Sequence, residues 1–430
     1  MSSAFAIDGL GGKRTLSGTI AVCGAKNAAL KMLAASLLFT DPVELQNVPD
    51  IEDIRRMKDL LTSAGGEVIE GKSGTLTIHY PGEVSTHLDE HISKRLRASI
   101  VLTGPMLSRF GQVTFPHPGG CVIGARPIDL FIDGFTRMGA TVRETGKDYV
   151  ITAPKGGLKG AEIFFRNQSV TGTENFLLAG VLARGKTVLQ NAALEPEIVA
   201  LAEYLISCGA HITGAGTPTI VIQGGELLRA NGRAGVIPPD RIEAGSFLVM
   251  GALAAKELTI TDCDPSHLTA PIELLRSAGV SISTSENSIT ISEPKSSQEF
   301  RAVSLKTHEY PGFPTDLQAP MVIFLTQSVG ESLVFETIFE GRLSYTEQLV
   351  RMGANITAMD PHRVLVKGPS VLHGKNLESP DLRAGLAFVI AATIAEGPSL
   401  IHNVYNIDRG YERIEERLQA IGVPVKRVEV

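Results

Sequence analysis

The sequence has few cysteines, no excess of positive charge and no long apolar run, and each absence excludes a class of protein. Its four cysteines, Cys23, Cys121, Cys208 and Cys263, are far apart with no CxxC pair, which argues against a disulfide framework or structural zinc. The net charge of −6 argues against general nucleic-acid binding, which needs a concentrated basic excess. The most apolar run, residues 384–395, is too short to span a membrane. We therefore expect a globular cytoplasmic protein with no membrane, nucleic-acid or metal partner.

One phrase recurs six times along the chain: an apolar helix tail, then a glycine, then a β-branched strand. Successive copies are 69 to 74 residues apart, a period too regular for chance. Each copy predicts a helix that is apolar on all sides, a strand, and a second helix that the glycine caps. The pattern therefore predicts six α/β units, three to a domain, with helices inside, sheets outside and a boundary near residues 232–240. The capping glycines are Gly65, Gly139, Gly209, Gly279, Gly353 and Gly422.

The second unit contains an insertion, HPGGCVIGARP, at residues 117–127. From the first strand residue to the capping glycine this unit has 26 residues, against 20 to 22 in the others, so the loop has no structural duty common to the repeat. A nearby Arg126 and a helix that could start at Pro127 both favour the thiolate of Cys121. An accidental exposed cysteine is the alternative. Cys208 takes the place of Ala, Met or Ile in the sister units, which predicts a core residue, and Cys263, on a strand end, is predicted to be structural.

Three cationic residues are candidates for binding a small anion. Lys26 enters at the head of an Ala-rich helix, Arg97 follows two other basic residues, and Arg409 stands in a loop before the last helix. The alternatives are a lysine without a specific partner and a solvated charged face. Two carboxylates, Asp316 and Asp381, open the fifth and sixth buried helices; each is either a helix cap or a base poised for proton abstraction.

Several motifs together resemble those of the UDP-N-acetylglucosamine 1-carboxyvinyltransferase family, enolpyruvyl transferases of the EPSP synthase superfamily. They are CGAKNAAL, RLRASI, PGGCVIGARP, SVTGTEN, PDRIEAGSF, FPTDLQA, TIFEGR, PDLRAG and YNIDRGYERIE. The resemblance implies an inside-out α/β barrel of two domains, residues 19–238 and residues 1–18 with 239–430. It also implies transfer of the enolpyruvyl group of phosphoenolpyruvate to the 3′-hydroxyl of UDP-N-acetylglucosamine, the first committed step of peptidoglycan synthesis, with neither metal nor cofactor.

The same resemblance implies a role for each candidate residue. Cys121 would add to phosphoenolpyruvate or protonate its methylene carbon, and would make the protein a fosfomycin target; Asp316 would be the base for the sugar hydroxyl. Lys26, Arg126 and Arg409 would hold phosphoenolpyruvate. Asn27, Arg97 and Asp381 would be further active-site residues. Contacts to the sugar nucleotide would come from Arg126, Pro127, Ile128, Asp129, Leu130, Asn167, Gln168, Ser169, Val170 and Ile338.

Two departures and two alternatives accompany this resemblance. Some relatives carry lysine where Asn167 stands and histidine where Phe131 stands, so the nucleotide contact there is expected to be weaker or differently made. A sister transferase with another acceptor would share the repeat, but it usually lacks the cysteine loop and GAKN. A catalytically silent sensor of nucleotide sugars is disfavoured because Cys121, Lys26, Asp316 and Arg409 are all present. Oligomeric state is not legible from the sequence.

Overall fold

The computed structural model describes residues 3–117, 128–293 and 299–430, which form two compact units. The central unit holds the described residues from Gly24 to Pro238, and the terminal unit holds those up to Cys23 and from Pro239 onward. Each unit has its own hydrophobic core. The strand Leu16–Ala21 crosses the expected boundary at residue 19 but pairs along its length inside the terminal unit. The division into two domains of three repeats stays a prediction.

Short strands and helices alternate along the described part of the central unit. Its strands are β3 Val43–Gln46, β4 Glu67–Glu70, β5 Leu76–His79, β6 Gln112–Pro116, β7 Thr141–Thr145, β8 Asp148–Thr152, β9 Glu162–Phe164, β10 Lys186–Gln190, β11 His211–Thr213, β12 Thr219–Gln223 and β13 Ala234–Val236. Its helices are α1 Lys26–Ala35, α2 Glu52–Ser63, α3 Glu90–Arg95, α4 Thr103–Phe110, α5 Asp129–Arg137, α6 Val170–Val181 and α7 Pro196–Ser207, with 3₁₀ segments Ser36–Leu38 and Arg97–Leu102.

The terminal unit is built in the same way from both ends of the chain. Its strands are β1 Ser3–Asp8, β2 Leu16–Ala21, β14 Ala255–Thr261, β15 Ser281–Thr284, β16 Ser288–Ser292, β17 Leu305–Lys306, β18 Gly330–Phe335, β19 Asn355–Asp360, β20 Arg363–Gly368, β21 Asn376–Glu378, β22 Pro398–His402 and β23 Val425–Glu429. Its helices are α8 Arg241–Ala254, α9 Thr269–Ser277, α10 Gln318–Thr326, α11 Thr346–Arg351, α12 Leu382–Ile394, α13 Tyr405–Asp408 and α14 Ile414–Ala420, with 3₁₀ segments Pro265–Leu268 and Thr315–Leu317.

The described strands of each unit pair into three small sheets. The central unit has the orders β13-β3-β5-β4, β6-β8-β7 and β11-β12-β10-β9. The terminal unit has β21-β22-β1-β23, β15-β16-β14-β2 and β17-β18-β20-β19. Every four-stranded sheet combines two antiparallel pairs with one parallel pair, such as β2 beside β14. The α/β class is confirmed, whereas the inside-out barrel and the sixfold repeat stay predictions.

Buried helices occupy the centre of each unit, as their apolar sequences predict. In the terminal unit every residue of α8 and α10 is buried, and these helices contact each other and α12. Small residues allow this approach: a Cβ on Gly245 would lie 2.3 Å from Leu317 Cδ1. In the central unit α4 contacts α6, where the Gly104 N–H donates to Asn175 Oδ1 at 2.7 Å. A helix buried on every side carries polar groups mainly at its ends. The candidate functional side chains are therefore expected at the helix ends.

The six capping glycines behave alike. Each follows a helix and has a φ between 88° and 109°, the left-handed conformation that glycine adopts without steric cost. Three of the predicted first helices contain 3₁₀ segments: KNAALKMLAASLLF ends in one, TDLQAPMVIFLTQ begins with one, and KRLRASIVLTGPML is split into the end of α3, a 3₁₀ segment and α4. Among the described residues no helix is long and apolar enough to cross a membrane.

Candidate active site

In the central unit, Lys26 and Asn27 begin helix α1. The close approach of the preceding loop requires glycine, since a Cβ on Gly24 would lie 1.9 Å from the Asn47 carbonyl oxygen. The Lys26 ammonium forms an ion pair with Asp53 Oδ2 at 3.3 Å, and the two side chains are 11% and 4% exposed. Lys26 is therefore held at a helix N-terminus by a specific carboxylate. The alternative of a lysine without a partner is excluded.

Arg97 is half-buried at the start of the 3₁₀ segment between α3 and α4. The two basic residues before it behave differently. Arg95 is exposed, and Lys94 is exposed and pairs with Glu90 at 2.7 Å, the arrangement typical of a solvated helix face. Arg97 does not share that face, so a binding role for it stays open.

Seven of the expected nucleotide contacts fall on two adjoining helix starts in the central unit. Ile128 precedes α5, whose first turn holds Asp129 and Leu130, and the residues from Asn167 to Val170 lead into α6. Ser169 caps α6, because its hydroxyl oxygen accepts from the Gly172 N–H at 3.1 Å, and Gln168 Nε2 donates to the Ala192 carbonyl at 3.3 Å. A Cβ on Gly172 would lie 2.8 Å from Leu130 Cδ2, so the two helix starts are in contact.

Phe131 has a structural role in this region. Its side chain is 7% exposed and stacks near the Phe176 ring, with centroids 6.2 Å apart. Phe131 is therefore a residue of the core. Asn167, by contrast, is exposed.

In the terminal unit, two buried arginines hold the carboxylate of Asp316. Arg342 Nη2 lies 2.8 Å from Oδ1, and Arg383 Nε lies 3.1 Å from Oδ2. The arginine side chains are 5% and 2% exposed. Burial lowers the pKa of Arg383, but the nearby Tyr411 and Asp316 outweigh it and raise that pKa above its ordinary value. Asp316 thus has a fixed position at a cationic centre, which a simple helix cap does not explain.

Asp381 caps helix α12. Its Oδ1 accepts from the backbone N–H groups of Arg383 at 2.7 Å and Ala384 at 3.0 Å. The capping alternative is therefore realised for this residue, and a catalytic role for it stays a prediction. The cap also fixes the turn from which the Arg383 side chain extends to Asp316.

The segment that carries Arg409 is connected to Asp316 through Arg383. Arg409 follows the one-turn helix α13 directly, and Arg383 Nη1 donates to the Tyr411 hydroxyl at 3.0 Å. Gly410 is packed on the start of α12, because a Cβ there would lie 2.5 Å from Leu382 Cδ1. The terminal unit therefore brings together the expected base and the segment of one expected clamp residue.

Ile338 joins the same region through a buried carboxylate. Glu336 Oε1 accepts from the backbone N–H groups of Ile338 at 2.8 Å and Phe339 at 3.2 Å. Its Oε2 accepts from the Thr315 hydroxyl at 2.8 Å, and Arg342 donates to that hydroxyl at 3.0 Å. Glu336 thus connects the backbone of Ile338 to the residue before Asp316.

Three expected site residues, Cys121, Arg126 and Pro127, lie outside the described residues. None of the three described cysteines is an exposed thiol. Cys208 is confirmed as a core residue, and Cys263 is also buried. Burial, with Asp264 nearby, raises the pKa of Cys263 to about 11; burial, with Glu243 nearby, raises that of Cys23 to about 12.

Sequence reasoning missed the partners that hold the expected site residues: Asp53, Glu336, Arg342 and Arg383. One signal was available for Arg383, which is a charged residue in the second position of an otherwise apolar helix. Arg342 and Arg383 also fall within TIFEGR and PDLRAG. Over the residues that the structure describes, no cluster of His, Cys, Asp and Glu could hold a metal ion.

Comparison with known proteins places the chain in a family. The family model described as EPSP synthase (3-phosphoshikimate 1-carboxyvinyltransferase) matches residues 10–418. The chain belongs to the EPSP synthase family. It is an enolpyruvyl transferase by that membership and by its curated relatives.

Two of those relatives are named UDP-N-acetylglucosamine 1-carboxyvinyltransferase. The protein from Solibacter usitatus is 45% identical and the match covers 96% of this chain and 97% of that one. The protein from Helicobacter hepaticus is 42% identical over the same shares of each chain. Among solved structures, the enolpyruvyl transferase NikO from Streptomyces tendae has a TM-score of 0.87 at 25% identity, covering 100% of this chain and 99% of that one. EPSP synthase from Acinetobacter baumannii, at 18% identity and a TM-score of 0.73 with full coverage of both chains, shares the fold.

Proposed function

We propose that the protein transfers the enolpyruvyl group of phosphoenolpyruvate to the 3′-hydroxyl of UDP-N-acetylglucosamine and releases phosphate, in the cytoplasm, as the first committed step of peptidoglycan synthesis. The names of relatives with 42% to 45% identity support the donor group and the acceptor. The observation that carries the proposal is the carboxylate of Asp316 between Arg342 and Arg383, joined through Tyr411 to the Arg409 segment.

The reaction is an addition followed by an elimination. Asp316 takes the proton of the 3′-hydroxyl while the oxygen forms a bond to C2 of phosphoenolpyruvate, and an acid delivers a proton to C3. In the second step C3 loses a proton, the C2–O bond to phosphate breaks, and the double bond is restored. Cys121 is assigned as the acid at C3, or as the residue that forms a covalent adduct with C2. Asp381 is assigned a supporting role.

The cationic residues suit a substrate that carries both a phosphate and a carboxylate. Lys26, Arg126 and Arg409 are assigned to these groups, with Asn27 and Arg97 beside them. Lys26 is at the N-terminus of α1, where free N–H groups and the helix dipole also favour an anion. The segments 126–130 and 167–170, together with Ile338, are assigned to the sugar nucleotide.

The test is phosphate release from phosphoenolpyruvate by wild type and two variants, Cys121→Ala and Asp316→Asn. We expect wild type to release phosphate only with UDP-N-acetylglucosamine. Each variant is expected to lower kcat by about a hundredfold or more, because it removes a proton-transfer group. Shikimate 3-phosphate in place of the sugar nucleotide tests the sister activity.

Cys208→Ala is the matched control for the cysteine variant. Cys208 is the C-cap residue after helix α7, and the equivalent C-cap residues after α2 and α9 are Ala64 and Ala278, so alanine suits this place. This control should retain wild-type turnover. Turnover with shikimate 3-phosphate instead, binding of the sugar nucleotide without phosphate release, or a fully active Cys121→Ala protein would contradict the proposal.

A further inference from the structure

A second arginine network lies directly beside the Arg409 segment and has no part in the assignments above. Arg427 is on the last strand, β23, opposite Phe5 of β1, and its guanidinium carbon lies 4.9 Å from the centroid of that ring. Its Nη1 and Nη2 donate to the two carboxylate oxygens of Asp408 at 2.9 and 2.7 Å. Its Nε and Nη2 donate to Glu415 at 2.5 and 3.1 Å. One guanidinium therefore makes bidentate contacts with two carboxylates, the strongest geometry for such pairs.

These contacts connect three elements around Arg409. Asp408 is the last residue of α13 and directly precedes Arg409, Glu415 lies in the first turn of α14, and Arg427 belongs to β23. A helix of one turn has almost no stability of its own, so contacts outside it must hold it in place. Arg383 supplies such a contact at Tyr411. Asn406 Nδ2 supplies another, to the Ser379 carbonyl at 2.8 Å. Arg427 supplies a further contact, at the residue before Arg409.

The network also acts on the charges that flank Arg409. Without Arg427, the carboxylates of Asp408 and Glu415 could turn toward Arg409. There they would pair with its guanidinium or repel an anionic substrate that it binds. Arg427 directs both carboxylates to itself and offsets part of their charge. Their exposures, 31% and 16%, leave solvent enough access for the network to rearrange once that arginine is removed.

We propose that Arg427 is a positioning residue, which fixes the backbone at Asp408 and thereby orients Arg409 toward phosphoenolpyruvate. This inference rests on the proposed function, since it concerns the affinity for that substrate. Arg427 itself is not assigned any contact with a substrate.

The test compares Arg427→Gln and Arg427→Lys with wild type in steady-state kinetics. We expect Arg427→Gln to raise KM for phosphoenolpyruvate by about tenfold, because a small misplacement of a binding group has a large effect. KM for UDP-N-acetylglucosamine should stay within about twofold of wild type, since the expected nucleotide contacts lie on other segments. Arg427→Lys should recover part of the loss, because it keeps the charge but not the fork of donors.

Arg363→Gln is the matched control. Arg363 also lies on a strand of the terminal unit, pairs with an aspartate, Asp360, at 2.7 Å, and stands 5.6 Å from the ring centroid of Phe335. It should leave both KM values unchanged. Asp408→Asn should reproduce the effect of Arg427→Gln and add little to it in the double variant, because both remove the same contact. If Arg427→Gln fails to fold, Arg427→Lys and Asp408→Asn carry the test.

Four results would overturn the inference: an unchanged KM for phosphoenolpyruvate, an equal rise of both KM values, the same effect in Arg363→Gln, or additive effects of Arg427→Gln and Asp408→Asn. Failure of the proposed function is a different result, in which wild type releases no phosphate. In that case amide hydrogen exchange tests the positioning role without turnover. Faster exchange than in wild type for residues 405–411 of Arg427→Gln supports that role, and unchanged exchange there refutes it.

Discussion

The buried carboxylate of Glu174 should make the stability of the central unit depend on pH between about 6 and 8. Glu174 is fully buried in helix α6, 3.1 Å from the ammonium of Lys31 in α1. Burial raises the pKa of Glu174 to about 8 from the ordinary value of 4.5, and the opposing charge of Lys31 offsets only part of this effect. Glu195 and Glu197 raise it further because they carry the same charge.

The sign follows from comparing the folded and unfolded states. Between pH 4.5 and 8 the folded state keeps a proton on Glu174 that the unfolded state has lost, so the free energy of unfolding falls as pH rises. The slope approaches about 1.4 kcal/mol per pH unit for one such proton, and flattens as pH reaches the folded pKa. From pH 6 to pH 8 the loss is therefore about 2 kcal/mol.

Glu174→Gln isolates this contribution, since glutamine has nearly the same shape as a protonated glutamate. The free energy of unfolding, wild type minus variant, should fall by about 2 kcal/mol from pH 6 to pH 8. Urea unfolding followed by far-UV circular dichroism is the assay, because the chain has no tryptophan for fluorescence. Glu90→Gln is the control. Hydrogen bonds from exposed lysines, mainly Lys147, lower the pKa of Glu90 to about 2, so Glu90 stays ionised from pH 6 to pH 8. This change should therefore leave the pH dependence of the free energy of unfolding unchanged over that range. Parallel wild-type and Glu174→Gln curves, or a wild type that gains relative stability as pH rises, would refute the reasoning.

Three further outcomes are expected. Tyr411→Phe removes the hydrogen bond from Arg383 and should lower the free energy of unfolding by about 2 kcal/mol, but by much less in an Arg383→Lys background; equal losses in both backgrounds would contradict the coupling. Lys26→Met removes the cation beside the buried carboxylate of Asp53 and should cost about 3 kcal/mol in urea unfolding, with part of the loss recovered by adding Asp53→Asn; no recovery would argue against the pair. Fosfomycin should attach covalently to Cys121, so that peptide mass mapping finds the adduct there in wild type and in Cys208→Ala; an unmodified Cys121 would count against its assigned reactivity.

The elements and the buried surfaces could be predicted from the sequence because they depend on local patterns. The apolar runs of α8, α10 and α12 are typical of helices without a solvent face, and all three are buried or nearly so. The glycine after each second helix marked a left-handed cap, which the φ values bear out. The break in KRLRASIVLTGPML could not be predicted: Leu96 is extended between the end of α3 and the 3₁₀ segment that begins at Arg97, and no glycine or proline stands at that point of the sequence.

The pairings within the site could not be predicted in the same way. Arg383 binds Asp316 across 67 residues of sequence, and Lys26 binds Asp53 across 27 residues. A hydrophobic period determines which face of a helix is buried, but it does not say which helix ends become neighbours. Asp381 illustrates the same limit: its position before α12 favours a cap by default and leaves a base as the alternative, and the capping hydrogen bonds become visible only in the structure.

The position of the ionic groups in the terminal unit has a physical reason. Helices α8, α10 and α12 pack against one another with no exposed face, so charged side chains occur where the helices begin. Asp240 caps α8, Asp316 precedes α10, and Arg383 stands in the first turn of α12. The 3₁₀ segment that carries Asp316 contacts α8, and Arg383 Nε donates to Asp316 Oδ2 at 3.1 Å, so the three helix starts lie close together. Asp240 and Asp381 accept hydrogen bonds from the first N–H groups of α8 and α12, so the cationic groups here are the arginine side chains. Arg409 belongs to the segment that Arg383 holds through Tyr411. Because the sides of these helices are buried against one another, their charged side chains lie at the helix starts. The proposed anionic substrate requires cationic groups of this kind.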